Sequence, residues 1–224
     1  RDRAELIYNE IQEFNSQKGN QKLDYISEDD FGNRLHTIIT RLPKSIRRNN
    51  LKIRGEDTVE IDLVQSQPEI LGKLLQQEIG NNLFSSFVAS NDIYLYIESK
   101  MKLKCRREAK KAFYVAMFGK LGNRREKQLI KLFPDLGDWI DRTKSNRIKG
   151  NPSKELHSNI AYLLQRKESF IFRMIWGKMY KDRIPLLTVH DSIIVRESDL
   201  HKAVHKFTRL LSLHIHSNVS TTVN

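Results

Sequence analysis

The sequence has little of what characterises secreted and membrane-embedded proteins. Its single cysteine, Cys105, excludes an internal disulfide framework and favours a reducing compartment. The longest uninterrupted apolar run covers residues 112–118, far fewer than the ~20 that a membrane-spanning helix needs. The chain begins Arg-Asp-Arg rather than with Met and an apolar stretch, which argues against a secretory precursor and is consistent with a trimmed fragment. These absences predict a soluble intracellular chain with no membrane partner.

Acidic residues are also scarce. Aspartate and glutamate number 27 against 39 lysines and arginines, which leaves a net charge of +12. Residues 100–131 hold twelve of the basic residues and only two glutamates, a local net charge of +10. Charge this dense attracts a polyanion such as a nucleic-acid backbone, although a solvated helix face has the same composition. The 39% hydrophobic content is enough for a folded core, in one domain or in two small ones that share a cleft.

Hydrophobic periodicity predicts an α+β fold whose sheet is assembled from segments distant in sequence. The start of one helix is well marked, because Ser66 is a plausible N-cap and Glu69 would complete a capping box with it. An apolar run over 185–195 with a polar centre predicts a hairpin that turns at 190–192. The other predicted elements are an amphipathic helix over 1–17, a connector over 16–32, a strand over 58–63, mostly helical structure over 71–180, a helix over 199–213 and a strand over 219–223.

Two aspartates lie at the ends of predicted strands. Asp62 ends the strand that precedes the marked helix, and Asp191 lies at the tip of the hairpin. Two carboxylates that leave a buried sheet together repel each other unless a cation neutralises them. Oxygen ligands favour Mg²⁺, and two such ions ~3.5–4 Å apart clamp the reacting oxygens of a phosphoryl transfer. Taken singly, each aspartate is better interpreted as a solvated turn residue.

A helical segment carries cations and aromatic rings on one stripe. Arg106, Lys110, Tyr114 and Phe118 are spaced by four, so each lies only ~40° further around a helix. The cations suit a triphosphate and the rings suit a base and a sugar, although a core helix also places aromatic residues for packing alone. The positions expected to pack inward are Ala109, Ala112, Val115 and Met117.

Three segments in this order resemble the palm and fingers of family A DNA polymerases, with features of the related single-subunit phage and mitochondrial RNA polymerases. Residues 59–71 resemble motif A, and residues 106–119 resemble motif B with its Arg-x₃-Lys-x₇-aromatic-Gly spacing. Thr188-Val-His-Asp-Ser192 resembles motif C. Weaker similarities lie at 32–43 and 132–143, so the resemblance extends from about residue 31 to residue 224.

The resemblance implies a polymerase palm, a small antiparallel sheet with flanking helices, that carries a long helical fingers insertion. Too few residues precede Arg34 for a full thumb or an exonuclease domain, so a protein partner or further N-terminal sequence would replace the thumb. The implied division is 1–30 as N-terminal helix and connector, 31–75 as the first palm part with motif A, 76–184 as the fingers with motif B and a return helix, and 185–224 as the second palm part with motif C.

The resemblance also implies roles for single residues. Asp62 and Asp191 resemble the catalytic metal-binding pair, with the backbone carbonyl of Leu63 as a further ligand. Arg106 and Lys110 would hold the triphosphate, Tyr114 would meet the sugar and Phe118 would stack beside the nascent pair. The residues implied or expected to contact primer-template are Arg34, Gln165 and His190, together with Lys102, Lys104, Arg124, Arg125 and Lys127 on the backbone.

The choice between deoxyribose and ribose rests on a few positions. Gln67 lies five residues after Asp62, where the DNA polymerases carry a bulky residue that crowds a ribose 2′-hydroxyl. Glu69 takes that place if the turn carries a two-residue insertion. Either side chain, and the absence of a hydroxyl on Phe118, favours deoxynucleotides, whereas Ser192 after the motif C aspartate is the pattern of the RNA polymerases.

These observations predict a DNA polymerase, a template-directed nucleotidyltransferase that extends a primer with dNTPs and uses two Mg²⁺ ions. A single-subunit RNA polymerase or primase is the alternative within the same chemistry. A metal phosphohydrolase built on His36, His157 and His190 with Asp191 and a non-catalytic nucleic-acid-binding module are the alternatives from other classes. The small size suggests a virus or mobile element as the source, which would place the protein in the cytoplasm or in a host cell.

Overall fold

The computed structural model describes residues 26–216 and 218–224. The predicted helix over 1–17 and most of the predicted connector lie outside the described residues. In chain order the elements are β1 (Ser27–Glu28), β2 (Leu35–His36), α1 (Ile38–Arg41), α2 (Lys44–Asn50), β3 (Lys52–Ile53), β4 (Glu56–Leu63), α3 (Ser66–Ile79), α4 (Leu83–Val88), α5 (Ile93–Lys100), α6 (Arg106–Phe118), α7 (Arg124–Leu132), α8 (Gly137–Ser145), α9 (Asn159–Lys181), β5 (Leu186–Val189), β6 (Ser192–Arg196), α10 (Leu200–His214) and β7 (Thr221–Val223). Short 3₁₀ helices cover Pro134–Leu136, Leu156–Ser158 and Glu197–Asp199.

The main sheet is antiparallel and is built around β4. Strand β6 pairs with β4 from Thr58 opposite Arg196 to Asp62 opposite Ser192, and β5 pairs with the far edge of β6. Strands β3 and β7 also pair with β4, although more than 150 residues separate β4 from β7. The predicted α+β class is confirmed, because segments from both ends of the described chain form one sheet.

The two faces of this sheet differ in chemistry. Ile61 and Leu63 on β4 are buried, and they share a hydrophobic cluster with Ile193 on β6 and Phe207 on α10. Side chains alternate along a strand, so Glu60 and Asp62 lie on the opposite face. The core and helix α10 therefore cover one face of the sheet, and the acidic residues lie on the other.

Helices α3 to α9 lie between β4 and β5, as the periodicity over 71–180 predicts. Ala109, Ala112 and Met117 on α6 are buried, in agreement with the sequence pattern. The prediction for Val115 is wrong, because its side chain is 41% exposed. The buried stripe continues through Ala116, and Val115 lies roughly 100° away from Ala116 around the helix. No helix in the described ranges is long and apolar enough to cross a membrane.

The predicted capping box at the start of α3 is also wrong. The N-cap is Gln65, whose φ of 46° is left-handed, and Ser66 already lies inside the helix. The Ser66 hydroxyl donates to Glu168 instead of capping, and Glu69 accepts from the side chain of Gln65. The hairpin differs by one residue from its prediction, since His190 and Asp191 alone form the turn and Ser192 begins β6.

Candidate active site

Asp62 and Asp191 lie side by side at one edge of the sheet. Asp62 pairs with Ser192, the residue after Asp191, and the Leu63 N–H donates to the Asp191 carbonyl at 3.3 Å. Burial and the negative charge of Asp191 raise the pKa of Asp62 to about 7. Burial raises the pKa of Asp191 as well. The two predicted carboxylates are thus brought together in surroundings that disfavour a double negative charge.

Left-handed residues adjoin both carboxylates. His190 has φ 43° and Gln65 has φ 46°, conformations that cost a non-glycine residue of order 1–3 kcal/mol. The Gln65 amide stabilises its own turn through side-chain hydrogen bonds of 2.9 to 3.3 Å with Glu69, Val88, Asn91 and Ile93. Strain of this kind persists only where the surrounding structure imposes it, and it concentrates at functional sites.

Cations lie close to both aspartates. The positive charges of Lys44 and Lys110 lower the pKa of Asp62, against the larger effects of burial and of the neighbouring carboxylates. The positive charges of Arg34 and Lys110 likewise lower the pKa of Asp191, against the larger effect of burial. Lys110 is exposed on α6, so its ammonium group is free to meet an anionic ligand beside the carboxylates.

The predicted stripe on α6 lies along this site. The rings of Tyr114 and Phe118 stack with their centroids 5.4 Å apart, and the Lys110 ammonium lies 5.8 Å from the centroid of the Tyr114 ring. Burial raises the pKa of Tyr114, a hydrogen bond with Tyr94 opposes that rise, and the negative charges of Asp191 and Glu168 add to it. Arg106 forms an ion pair with Asp92 at 2.9 Å.

Glu168 is a site residue that the sequence analysis missed. It lies on α9 with 1% of its surface exposed and accepts from Arg34, Ser66 and Gln67. Burial raises the pKa of Glu168 and Asp191 adds to the rise, while Arg34 opposes it. A sequence signal was available, because Glu168 interrupts an apolar stripe between Leu164 and Phe172.

Glu60 is a second missed carboxylate. It is buried two residues before Asp62 and accepts from the Ser192 hydroxyl at 2.8 Å. Arg47 and Arg48 form ion pairs with it at 3.0 and 3.3 Å. Burial alone would raise the pKa of Glu60, but the hydrogen bond from Ser192 and the two arginines lower it. Ser192 therefore serves to hold a carboxylate from the neighbouring strand.

Gln67 and Glu69, the two candidates for the sugar-crowding position, lie in different surroundings. Gln67 is buried and donates to Glu168 at 2.5 Å. Glu69 is ion-paired with His216 near the C-terminus. The structure therefore brings Gln67, and not Glu69, into the cluster that contains Glu168.

The histidines of the phosphohydrolase alternative have separate partners. His36 lies 3.0 Å from Asp29, and His157 lies 3.5 Å from Glu155. His190 packs edge-on against His36 with ring centroids 5.4 Å apart, and burial lowers its pKa to about 4. Within residues 26–216 and 218–224, no three His, Cys, Asp or Glu side chains form a group that could hold a metal ion.

The residues predicted to contact nucleic acid lie at two places. Gln165 packs against Gly32, where a Cβ atom would come within 2.6 Å of its side-chain oxygen, so it is close to the Arg34 segment. The other place is the exposed surface around the start of α6 and α7. Lys102, Lys104, Arg124 and Lys127 are exposed there, while Arg125 is half-buried and donates to Gln128 at 2.9 Å.

Comparison with known proteins supports the fold at a coarse level. No protein-family model matches the chain, and no curated protein matches it. The fold is similar to that of the POL domain of Pol1 from M. smegmatis, a structure in complex with DNA primer-template and dNTP, with a TM-score of 0.62 and 13% identity. The likeness covers 86% of this chain and 45% of that one, so the chain spans less than half of the Pol1 domain's length. At this identity the likeness shows the fold alone, and that fold is polymerase-like.

Proposed function

We propose that this protein is a template-directed nucleotidyltransferase, specifically a DNA polymerase that extends a primer with dNTPs. The observation that carries the proposal is the meeting of Asp62 and Asp191 at a sheet edge flanked by Lys110 and Tyr114 from α6. Two carboxylates, a cation and an aromatic ring are the parts needed to place a nucleoside triphosphate for phosphoryl transfer. The polymerase-like fold supports the same class of reaction.

The carboxylate pair fits a divalent-cation site. Burial, together with the negative charges of Asp191 and Glu60, raises the pKa of Asp62 to about 7, and a bound cation would offset these effects. Asp62, Asp191 and the backbone carbonyl of Leu63 would hold the ions. Two bound Mg²⁺ ions would lower the pKa of the primer 3′-hydroxyl and neutralise charge on the leaving pyrophosphate.

The chain's own residues would bind and orient the nucleotide. Lys110 and Arg106 lie one helical turn apart and would hold the triphosphate. To do so, Arg106 would leave its exposed ion pair with Asp92 and bind the phosphates instead. The stacked rings of Tyr114 and Phe118 would pack against the sugar and the nascent base pair. Gln67 would crowd the sugar and so disfavour a 2′-hydroxyl.

The same proposal assigns the larger elements. The antiparallel sheet is the palm (31–75 and 185–224), and the helices over 76–184 are the fingers and a return helix. Arg34, Gln165 and His190 would contact the primer-template near its terminus, while Lys102, Lys104, Arg124, Arg125 and Lys127 would contact phosphates. A protein partner or further N-terminal sequence would take the place of a thumb.

A second candidate, an RNA polymerase or primase, is favoured by Ser192. A serine after the metal-binding aspartate is the RNA polymerase pattern, but here its hydroxyl holds Glu60, so a structural requirement also accounts for it. A phosphohydrolase has less support, because two of its three histidines, His36 and His157, are paired with separate carboxylates.

The test is a primer-extension assay with labelled primer-template, Mg²⁺ and either dNTPs or rNTPs. The DNA polymerase proposal expects template-dependent extension with dNTPs. Extension with rNTPs alone would replace it with the primase alternative, and hydrolysis of the labelled strand would favour the phosphohydrolase. Binding without any reaction in Mg²⁺ would leave a non-catalytic nucleic-acid-binding module.

A further inference from the structure

One buried carboxylate connects three segments that are distant in sequence. Glu168 on α9 accepts from the Arg34 Nε at 3.0 Å and from the Arg34 Nη2 through the same oxygen, Oε2. Its other oxygen, Oε1, accepts from the Ser66 hydroxyl at 3.1 Å and from the Gln67 Nε2 at 2.5 Å. All four hydrogen bonds run towards the carboxylate, and bonds to an ionised acceptor are about twice as strong as neutral ones.

These bonds determine how Gln67 is oriented. Glu168 accepts from the NH₂ group of the Gln67 amide, so the carbonyl oxygen of that amide points away from the carboxylate. The Gln67 Oε1 atom is buried and has no hydrogen-bond partner among the described residues. Glu168 is therefore the group that selects both the rotamer and the amide orientation of Gln67.

The position of this cluster matters for the nucleotide. Helix α9, which carries Glu168, packs against α3 with Gln67 and against α6 with Tyr114. Ser66 and Gln67 follow Asp62 by four and five residues, so Glu168 holds the chain segment that comes directly after the proposed metal site. A free glutamine has three rotatable side-chain bonds and would move aside for a 2′-hydroxyl. A glutamine held by a buried carboxylate has no such freedom.

We propose that Glu168 is a positioning residue for sugar selection, which holds Gln67 rigidly against the sugar of the incoming nucleotide. This inference rests on the proposed function and adds to it the residue that makes the crowding effective. Arg34 neutralises Glu168 and is itself held by it, so one carboxylate sets the geometry of both the sugar contact and the primer contact.

The experiment compares kcat/KM for dNTP and rNTP in Glu168→Met, Arg34→Met, Gln67→Ala and Glu168→Met/Gln67→Ala variants. Glu168→Met should reduce the discrimination against rNTP by about tenfold, since Gln67 is then free to rotate. Arg34→Met should lower primer affinity and keep the ratio. Glu168→Met/Gln67→Ala should show the same discrimination against rNTP as Gln67→Ala alone, because both changes act through one contact.

A matched control separates positioning from loss of a buried ion pair. Glu168→Met/Arg34→Met and Glu126→Met/Lys144→Met each remove both partners of an ion pair with a buried carboxylate. A fold tolerates that better than the removal of one partner. Only Glu168→Met/Arg34→Met should change the ratio of kcat/KM for dNTP to kcat/KM for rNTP. This double variant is used instead of Glu168→Met if the single variant does not fold.

An equal loss of kcat/KM for both nucleotides in Glu168→Met would overturn the inference and leave the proposed function standing. A wild-type protein that extends primers equally well with dNTP and rNTP would also overturn the inference, while primer extension itself would still support the proposed nucleotidyltransferase. A wild-type protein that extends no primer would overturn the proposed function and the inference together.

Discussion

The backbone N–H of Leu63 donates a 3.3 Å hydrogen bond to the carbonyl of Asp191. This bond joins the end of the strand that carries Asp62 to the turn that carries Asp191. The carboxylates are held together by the main chain and not by their own attraction, since their charges repel. Substituting either side chain therefore tests its chemistry with little risk to the fold.

Asp62→Asn and Asp191→Asn should each reduce primer extension to less than about a hundredth of the wild-type rate, because losing a metal ligand removes several kcal/mol of transition-state stabilisation. Affinity for primer-template should hardly change, since backbone phosphate contacts elsewhere dominate binding. Single-turnover extension and a filter-binding titration measure the two quantities. A variant that keeps more than this residual rate would contradict the pairing of the two aspartates.

Mg²⁺ should raise the melting temperature of the wild-type protein, because it removes the repulsion between Asp62 and Asp191. Asp62→Asn should raise the melting temperature in metal-free buffer by about 3 °C, the shift that ~1 kcal/mol gives in a domain of this size. The same variant should lose the Mg²⁺ response. Asp57→Asn is the control, because Asp57 lies on the same strand but is exposed and pairs with Lys52. An Mg²⁺ response that survives in Asp62→Asn would locate the cation elsewhere.

The basic segment should make salt-sensitive contacts with phosphate. Replacing Arg124, Arg125 and Lys127 together by Ala should weaken binding to all sequences alike and reduce the slope of log affinity against log salt by roughly one per lost contact. A control triple variant at Lys181, Lys202 and Lys206 removes the same charge from α9 and from α10, which packs on the sheet face opposite Asp62. Equal slopes for both triple variants would mean that residues 100–131 form only a solvated face.

Gln67→Gly should remove most of the discrimination against rNTP, which we expect to be at least ~2 kcal/mol, or roughly thirtyfold. Glu69→Ala should leave the discrimination unchanged and lower the stability instead, by ~1–3 kcal/mol, because it leaves His216 without its carboxylate. Steady-state incorporation of matched dNTP and rNTP, together with urea denaturation, distinguishes the two effects. The reverse result would assign the sugar contact to Glu69.

Lys144→Met should destabilise the fold by ~3–5 kcal/mol, because it leaves the buried Glu126 without a positive charge to neutralise it. Lys144 also donates to the carbonyls of Ala116 and Gly119 at 2.8 and 2.9 Å, so it stabilises the C-terminal end of α6. Burial lowers the pKa of Lys144, which shows that the charge is retained at a cost. Glu126→Met/Lys144→Met should be closer to wild type in urea denaturation, and a larger loss in the double variant would contradict this account.

The amino-acid sequence by itself determined the main strands and helices from residue 58 onwards, whereas the short elements over 27–53 were not predicted from it. Alternation over 58–63, the apolar run over 185–195 and the four-residue spacing on α6 are local properties, so they appear in the chain order. The same patterns placed Asp62 and Asp191 at the ends of strands. Local patterns failed at Ser66, where Glu168 from another helix takes the hydroxyl that would otherwise cap α3.

Only the tertiary structure decided which polar side chains are partners. Glu168 lies 101 and 102 positions from Gln67 and Ser66 and 134 positions from Arg34, and Glu60 lies 132 positions from Ser192. A single buried carboxylate in an apolar stripe shows that some donor must meet it, but the sequence does not say which one. That choice depends on how α9 packs against α3 and on the register between β4 and β6, which long-range packing sets. For the same reason only the folded chain shows that Gln67 contacts Glu168 and that Glu69 contacts His216.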